Sequence, residues 1–211
     1  MKECGVLFDL DGVLIDSESG YTELWRGIEK KYPTGIDNFA IRIKGTTLGE
    51  IMKFFPDKSI HEDIFSMLDE YQSNMSFKMF PEVQLFLETL KEHHIPAAIV
   101  TSSDERKMAR LFDALPGFRN YFTAIIDASM VNRSKPDPQG YLLCAKALSR
   151  DIKDCIVFED SLQGLAAGRA AGATVIALAT TYPREMLKDK AATVIDGFEN
   201  FTVEQMLDIR D

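Results

Sequence analysis

Val6-Leu7-Phe8-Asp9-Leu10-Asp11-Gly12-Val13 is an apolar run that ends abruptly in two carboxylates. Such a run reads as a strand buried on both faces that delivers charge to the edge of a sheet. Residues two apart on a strand point the same way, so Asp9 and Asp11 converge on one volume if the extended conformation holds that far. Two anions that close repel, which calls for a shared proton or a cation. Mg2+ is the simplest cation, because it prefers carboxylate oxygens and keeps positions open for water and phosphate. Gly12 then lets the chain turn sharply past the site. Taken alone, the tetrapeptide is equally compatible with a solvated Asp-x-Asp-Gly turn closing a strand.

Five later segments resemble the first. Ala97-Ala98-Ile99-Val100-Thr101, Ala124-Ile125-Ile126-Asp127, Cys155-Ile156-Val157-Phe158-Glu159 and Thr174-Val175-Ile176-Ala177-Leu178 are short continuous apolar runs, and Thr193-Val194-Ile195 is a weaker one. Between them, Val83, Phe86, Leu87 and Leu90, then Met108, Leu111, Phe112 and Leu115, then Tyr141, Leu142, Ala145 and Leu148 have the spacing of a buried helix face. Alternating strands and helices predict an α/β fold, a doubly wound, Rossmann-like parallel sheet with ligands at the C-terminal strand edge. Residues 16–80 break the rhythm. They carry helical patterns (Tyr21, Leu24, Trp25, Ile28 and Tyr32, then Ile64, Leu68, Tyr71 and Met75) and no convincing parallel strand. The expected division is a core of residues 1–15 and 81–211 with an inserted all-helical cap of residues 16–80. An insertion at that point sits over the end of the acidic strand, where a lid would be.

Composition narrows the function classes. The 211 residues suit one core domain with a substantial insertion. A net charge of −9 provides no basic footprint for nucleic acid and disfavours anionic membranes. The odd, scattered cysteines Cys4, Cys144 and Cys155 sit in apolar stretches and read as buried free thiols of a reducing compartment. The opening Met1-Lys2-Glu3-Cys4 enters a strand at once, too soon for a signal peptide, and no segment has the apolar length of a membrane span. A cytoplasmic monomer is expected.

Four strand ends supply polar groups: Asp9 and Asp11; Thr101-Ser102-Ser103; Lys135 in Ser134-Lys135-Pro136-Asp137-Pro138; and Glu159-Asp160. A nucleophilic carboxylate, an acid/base, a hydroxyl and a lysine for anionic oxygens, and further acids for a metal are what phosphoryl transfer needs. Each piece also has an ordinary reading: Thr101-Ser102-Ser103-Asp104 and Glu159-Asp160-Ser161 as helix caps, Lys135 as a solvated loop lysine. Their occurrence in this order, each at or just after a strand end, favours the chemical reading.

Phe8-Asp9-Leu10-Asp11-Gly12-Val13, Thr101, Lys135-Pro136 and Glu159-Asp160-Ser161 resemble the four motifs of the haloacid dehalogenase-like (HAD) hydrolase superfamily. The match is closest to its subgroup with a helical cap after the first strand, which includes β-phosphoglucomutase and phosphoglycolate phosphatase-like enzymes. The resemblance extends to Gly164-Leu165-Ala166-Ala167-Gly168-Arg169-Ala170-Ala171-Gly172 after the fourth motif. It implies Asp9 as the nucleophile that becomes an aspartyl-phosphate and Asp11 as the general acid/base. It implies Thr101 and Lys135 on the transferring phosphoryl group. Mg2+ would be held by Asp9, Asp160 and the main-chain carbonyl of Asp11, with Glu159 in support directly or through water.

Within the resemblance, Asp11 favours phosphoester hydrolysis over dehalogenation, since a halide leaving group needs no acid. Lys44-Gly45 is similar to the cap loop of the mutase, but Leu48 falls where the mutase has an arginine and Tyr21 where it has a histidine. Losing an anchor for a second phosphate favours a phosphatase over a phosphosugar mutase, the alternative reading. Glu82 after Pro81 departs from the glycine of many relatives. Candidate substrate contacts are Lys44, Thr46, Thr47 and Ser102, with Glu18 and Tyr21 beyond them; solvated cap surface is the competing reading of the cap residues. Trp25 fits core packing better than substrate stacking, and His93-His94 reads as favourable charge at a helix C-terminus. A phosphoacceptor signalling module uses similar groups, but on a middle strand and without such a lid. The expected partner is a small phosphorylated metabolite.

Overall fold

The computed structural model describes residues 4–210, apart from the side chains of Glu18, Ser19 and Arg210. Met1-Lys2-Glu3, part of the opening segment considered above, lie outside the described residues. Strand β1 (Gly5–Phe8) is followed by helices α1 (Glu18–Lys31), α2 (Phe39–Arg42), α3 (Leu48–Ile51) and α4 (His61–Asn74). An alternating series comes next: α5 (Val83–Glu92), β2 (Ala97–Val100), α6 (Glu105–Ala114), β3 (Ala124–Ile126), α7 (Gln139–Ala147), β4 (Cys155–Glu159), α8 (Leu162–Ala171), β5 (Thr174–Leu178), α9 (Arg184–Leu187), β6 (Thr193–Ile195) and α10 (Val203–Arg210).

All six strands pair in parallel in the order β3-β2-β1-β4-β5-β6. The chain therefore winds outward on one side of β1 and returns to wind outward on the other. The β1/β4 boundary is the switch point at which such sheets bind ligands. Period-two alternation sorts the strand residues into two apolar layers. Val6, Phe8, Ile156 and Phe158 pack under α5, α6 and α10, whereas Leu7, Cys155 and Val157 pack under α7 and α8. Phe8 stacks on Phe158 with ring centroids 5.1 Å apart, and Phe86 meets both rings edge-on.

The helices between β1 and α5 have an apolar cluster of their own, built on Trp25, Ile28, Phe39 and Ile64. Trp25 packs against Phe39 and Phe55, as its place in the apolar stripe predicts. Two connections carry the chain into and out of this unit side by side. Ile15 and Met79 form an antiparallel bridge, Asp16 N donates to Lys78 O at 2.9 Å, and Phe80 N donates to Leu14 O at 3.1 Å. Helix α5 begins at Val83, two residues after Pro81, and Glu82 between them occupies the left-handed region with φ 61°. No helix among the described residues is long and apolar enough to cross a membrane.

Candidate active site

The site sits at the C-terminal ends of β1, β2 and β4. Strand β1 ends at Phe8, and its next residue, Asp9, projects a 10 % exposed side chain from the strand edge. Lys135 Nζ donates to Asp9 Oδ1 at 2.5 Å, to Glu159 Oε1 at 2.5 Å and to the Val100 carbonyl at 3.2 Å. This buried ammonium therefore ties the ends of β1, β2 and β4 together. Carboxylate oxygens of Asp9, Glu159 and Asp160 lie within 4.8 Å of one another, and all three residues are buried.

Three buried carboxylates lie together here, and Lys135 pairs with two of them, Asp9 and Glu159. Burial, reinforced by the Glu159 charge, raises the Asp9 pKa well above the usual carboxylate range despite the Lys135 contact. Burial alone would lower Lys135, but Asp9 and Glu159 outweigh it and hold the ammonium above its ordinary range. A cluster of hard oxygen donors within 4.8 Å of one another fits a small dication such as Mg2+. Asp9 and Asp160 would hold it.

Glu159 is otherwise engaged. Its Oε1 accepts from Lys135 and from the Tyr141 hydroxyl at 2.8 Å; its Oε2 accepts from Asp160 N at 3.0 Å, Ser161 N at 2.9 Å and Ser161 Oγ at 3.0 Å. With five donors on two oxygens it is an anchor for the β4–α8 turn. That turn is also a helix N-terminus, where Ser161 Oγ accepts from Gly164 N at 3.0 Å. The capping reading and the chemical reading of Glu159-Asp160-Ser161 both hold. Thr181 Oγ1 donates to Asp160 Oδ2 from beyond the end of β5.

Asp11 lines the same cavity as Asp9, as expected of two converging carboxylates, but takes partners of its own. The strand conformation stops before it, Gly12 turns at φ 81°, and the Asp11 side chain is not part of the Asp9, Glu159, Asp160 cluster. Its Oδ1 instead accepts from Ser17 Oγ and, at 2.5 Å, from Lys107 Nζ; its Oδ2 accepts from Ser103 Oγ at 2.8 Å. Burial would raise its pKa, but Lys107 and the three hydrogen bonds win and hold it below the usual range. The repulsion between neighbouring acids is thus relieved by separate cations.

Asp9, Asp11, Thr101 and Asp160 share a cavity of about 620 Å³ whose roof is the helical unit. Thr101 is buried, and its Oγ1 accepts from Ser103 N at 3.0 Å. Lys44, Thr46 and Thr47 line the same cavity. Ser102 also lines it, although its hydroxyl donates to the Gly45 carbonyl at 2.8 Å and so helps seat the roof. Tyr21 covers one wall, its ring centroid 5.0 Å from that of Tyr71. The side chain of Glu18 lies outside the described residues.

A family profile described as haloacid dehalogenase-like hydrolase matches residues 5–172, from β1 through α8, and so takes in Asp9, Asp11, Thr101, Lys135, Glu159 and Asp160. The chain belongs to the haloacid dehalogenase-like hydrolases. Among curated members it is 29 % identical over 212 residues to a bifunctional riboflavin kinase/FMN phosphatase of Arabidopsis thaliana, covering 95 % of this chain but 55 % of that protein. It is 29 % identical over 177 residues to the Escherichia coli fructose-1-phosphate phosphatase YqaB, covering 81 % of this chain and 94 % of the relative. A solved β-phosphoglucomutase of Clostridium difficile superposes with a TM-score of 0.80 at 26 % identity, covering 100 % of this chain and 97 % of the other.

The four HAD motifs did not lead to several neighbours of the site: Ser17, Lys107, Tyr141 and Thr181. Two carried a signal. Thr180-Thr181 lie just beyond the end of β5, where polar residues face the ligand edge. Lys107 stands four residues before Leu111 on the apolar stripe of α6, a place where a lysine needs a buried partner.

Proposed function

We propose that this HAD-like hydrolase is a Mg2+-dependent phosphatase that hydrolyses a small phosphorylated metabolite, a sugar or polyol phosphate, through an aspartyl-phosphate on Asp9. The observation that carries the reading is the meeting of three buried carboxylates with one buried lysine beneath a roofed cavity. A divalent ion held by Asp9, Asp160 and the Asp11 main-chain carbonyl supplies the positive charge that lets one anion approach another. Lys135 adds its charge to the same volume, and the Thr101 hydroxyl donates to a phosphoryl oxygen.

An Asp9 oxygen attacks phosphorus and the bond from phosphorus to the ester oxygen breaks, while Asp11, which takes up a proton as the anionic ester binds beside it, gives that proton to the departing alkoxide. Water then attacks the phosphorus of the aspartyl-phosphate, Asp11 takes its proton, and the bond to Asp9 breaks to release phosphate. Glu159 holds Lys135 and the Asp160 backbone in place for both steps. Lys44, Thr46, Thr47 and Ser102 face the organic part of the ester. The division into a core of residues 1–15 and 81–211 and a cap of residues 16–80 belongs to the same proposal, as does action as a cytoplasmic monomer.

The likeness to a β-phosphoglucomutase supports a mutase as the second reading. Hydrolysis is favoured because Tyr21 is packed against Tyr71 and the Lys107 ammonium, and Leu48 brings no charge to the cavity. Replacing Asp9 by Asn should lower Mg2+-dependent phosphate release from sugar phosphates by about 10³-fold or more with the fold intact. Release at the wild-type rate would refute the assignment. Glucose 1-phosphate converted to an isomer rather than to glucose and phosphate would select the mutase.

A further inference from the structure

We propose that Lys107 is the positioning residue for Asp11: it fixes the direction in which the acid/base carboxylate presents itself to the leaving group. The inference rests on the phosphatase reading given above and adds to it a residue outside the motifs.

Lys107 sits one turn into α6 with a side chain 5 % exposed, beside Asp11 at 15 %. A buried ammonium costs several kcal/mol unless paired, and its neighbours Met108 and Leu111 belong to an apolar layer that a methionine or leucine would extend more cheaply. Helix formation does not ask for a charge here. Two compensating contacts lie at the site: Asp11 Oδ1 at 2.5 Å, and the face of Tyr21, whose centroid is 4.4 Å from Nζ. Lys107 lines the cavity along with Asp11.

Asp11 is reached by donors from three parts of the chain. Ser17 belongs to the connection into α1, Ser103 to the β2–α6 loop, and Lys107 to α6. Three donors on two oxygens determine both the position and the plane of a carboxylate, and Lys107 is the only charged one of the three. Tyr21, from α1, closes over the ammonium and so couples the seating of the roof to the placement of the acid. Misplacing an acid by about 1 Å can cost a hundredfold in rate.

Leaving-group dependence separates this role from a merely structural ion pair. Breaking the bond to an alkyl oxygen needs a proton from Asp11, whereas nitrophenolate departs without one. The ratio kcat/KM reports the step in which the alcohol leaves, independent of later hydrolysis of the aspartyl-phosphate. Lys107→Met should therefore lose about tenfold more kcat/KM on glycerol phosphate than on p-nitrophenyl phosphate, measured with Mg2+, and Lys107→Arg should recover part of the difference. Equal losses on both esters, or no loss on either, would overturn the proposal. Should Lys107→Met fail to fold, Ser103→Ala and Tyr21→Leu carry the test, because each removes one support of the same arrangement and should show the same bias. A wild-type protein that turns over neither ester sinks the phosphatase reading and this inference with it; wild-type turnover with unbiased variants sinks the Lys107 role alone.

Discussion

Asp9 and Asp11 have the same side chain two positions apart, and their surroundings give them opposite properties. Asp9 emerges from a strand among other acids, and burial pushes its pKa up; Asp11 lies just before the turn with a lysine and two serines, which hold its pKa down. The motif reveals both residues, but not this division, because the groups that enforce it come from as far away as Glu159 and Lys107. Glycine plays a comparable part at Gly164. A Cβ there would fall 1.6 Å from Glu159 Oε1, so the helix leaves out a side chain to make room for the carboxylate. Alanine usually stabilises a helix interior relative to glycine by roughly 1 kcal/mol. Here Gly164→Ala should instead destabilise the protein by about 2 kcal/mol or more, since the Glu159 bonds to Lys135 and Tyr141 must break. Urea unfolding checks this, and a variant as stable as the wild type would contradict it.

Among the elements, the strands were the most legible. Each apolar run marked in the sequence forms a strand, the five later ones within a residue at the ends and the first only as far as Phe8, because a strand covered on both faces needs an uninterrupted apolar segment. Helices α5, α6 and α7 follow from their apolar stripes in the same way. Periodicity is silent about what one polar residue in a stripe will meet, which is why Lys107 passed unremarked. The cysteines belong to this scale, since the layers on either side of the sheet decide their chemistry. Cys144 on α7 and Cys155 on β4 are buried, and burial pushes both thiols up to about 12; Cys4 is buried beside β1. The thiolate is the reactive form, and it gains population only as pH approaches the raised pKa. At pH 8 none of the three thiols should react rapidly with an aromatic disulfide reagent in the native state, and all three should react in denaturant. A fast native thiol would show that a layer opens.

At the scale of the whole molecule, the helical unit is seated on the sheet edge by contacts distant in sequence. Ser102 Oγ donates to Gly45 O at 2.8 Å, Tyr182 OH to Ile41 O at 2.9 Å, and Arg110 pairs with Asp69 at 3.0 Å. Gly45 is the closest approach. With φ 76° it favours glycine, and a Cβ would lie 2.5 Å from Ser161 Oγ, which is itself committed to Glu159 and to the cap of α8. Gly45→Val should keep the roof from seating. The expected result is a larger radius of gyration by small-angle scattering and a fall of about tenfold or more in kcat/KM. Unchanged scattering and turnover would mean that the contact is incidental.

The sequence by itself determined the sheet, the place of the helical insertion, and the acids, hydroxyl and lysine brought to the strand ends. Those features follow from local periodicity and from the rule that parallel strands deliver their C-termini to one edge. Only the tertiary structure decided that Asp11 turns from the acidic cluster toward Lys107, that Glu159 is saturated by five donors, and that Gly45 touches Ser161. Each depends on which groups from separate segments come within hydrogen-bonding distance, and electrostatic and steric energies at that range are set by ångströms that no spacing along the chain encodes.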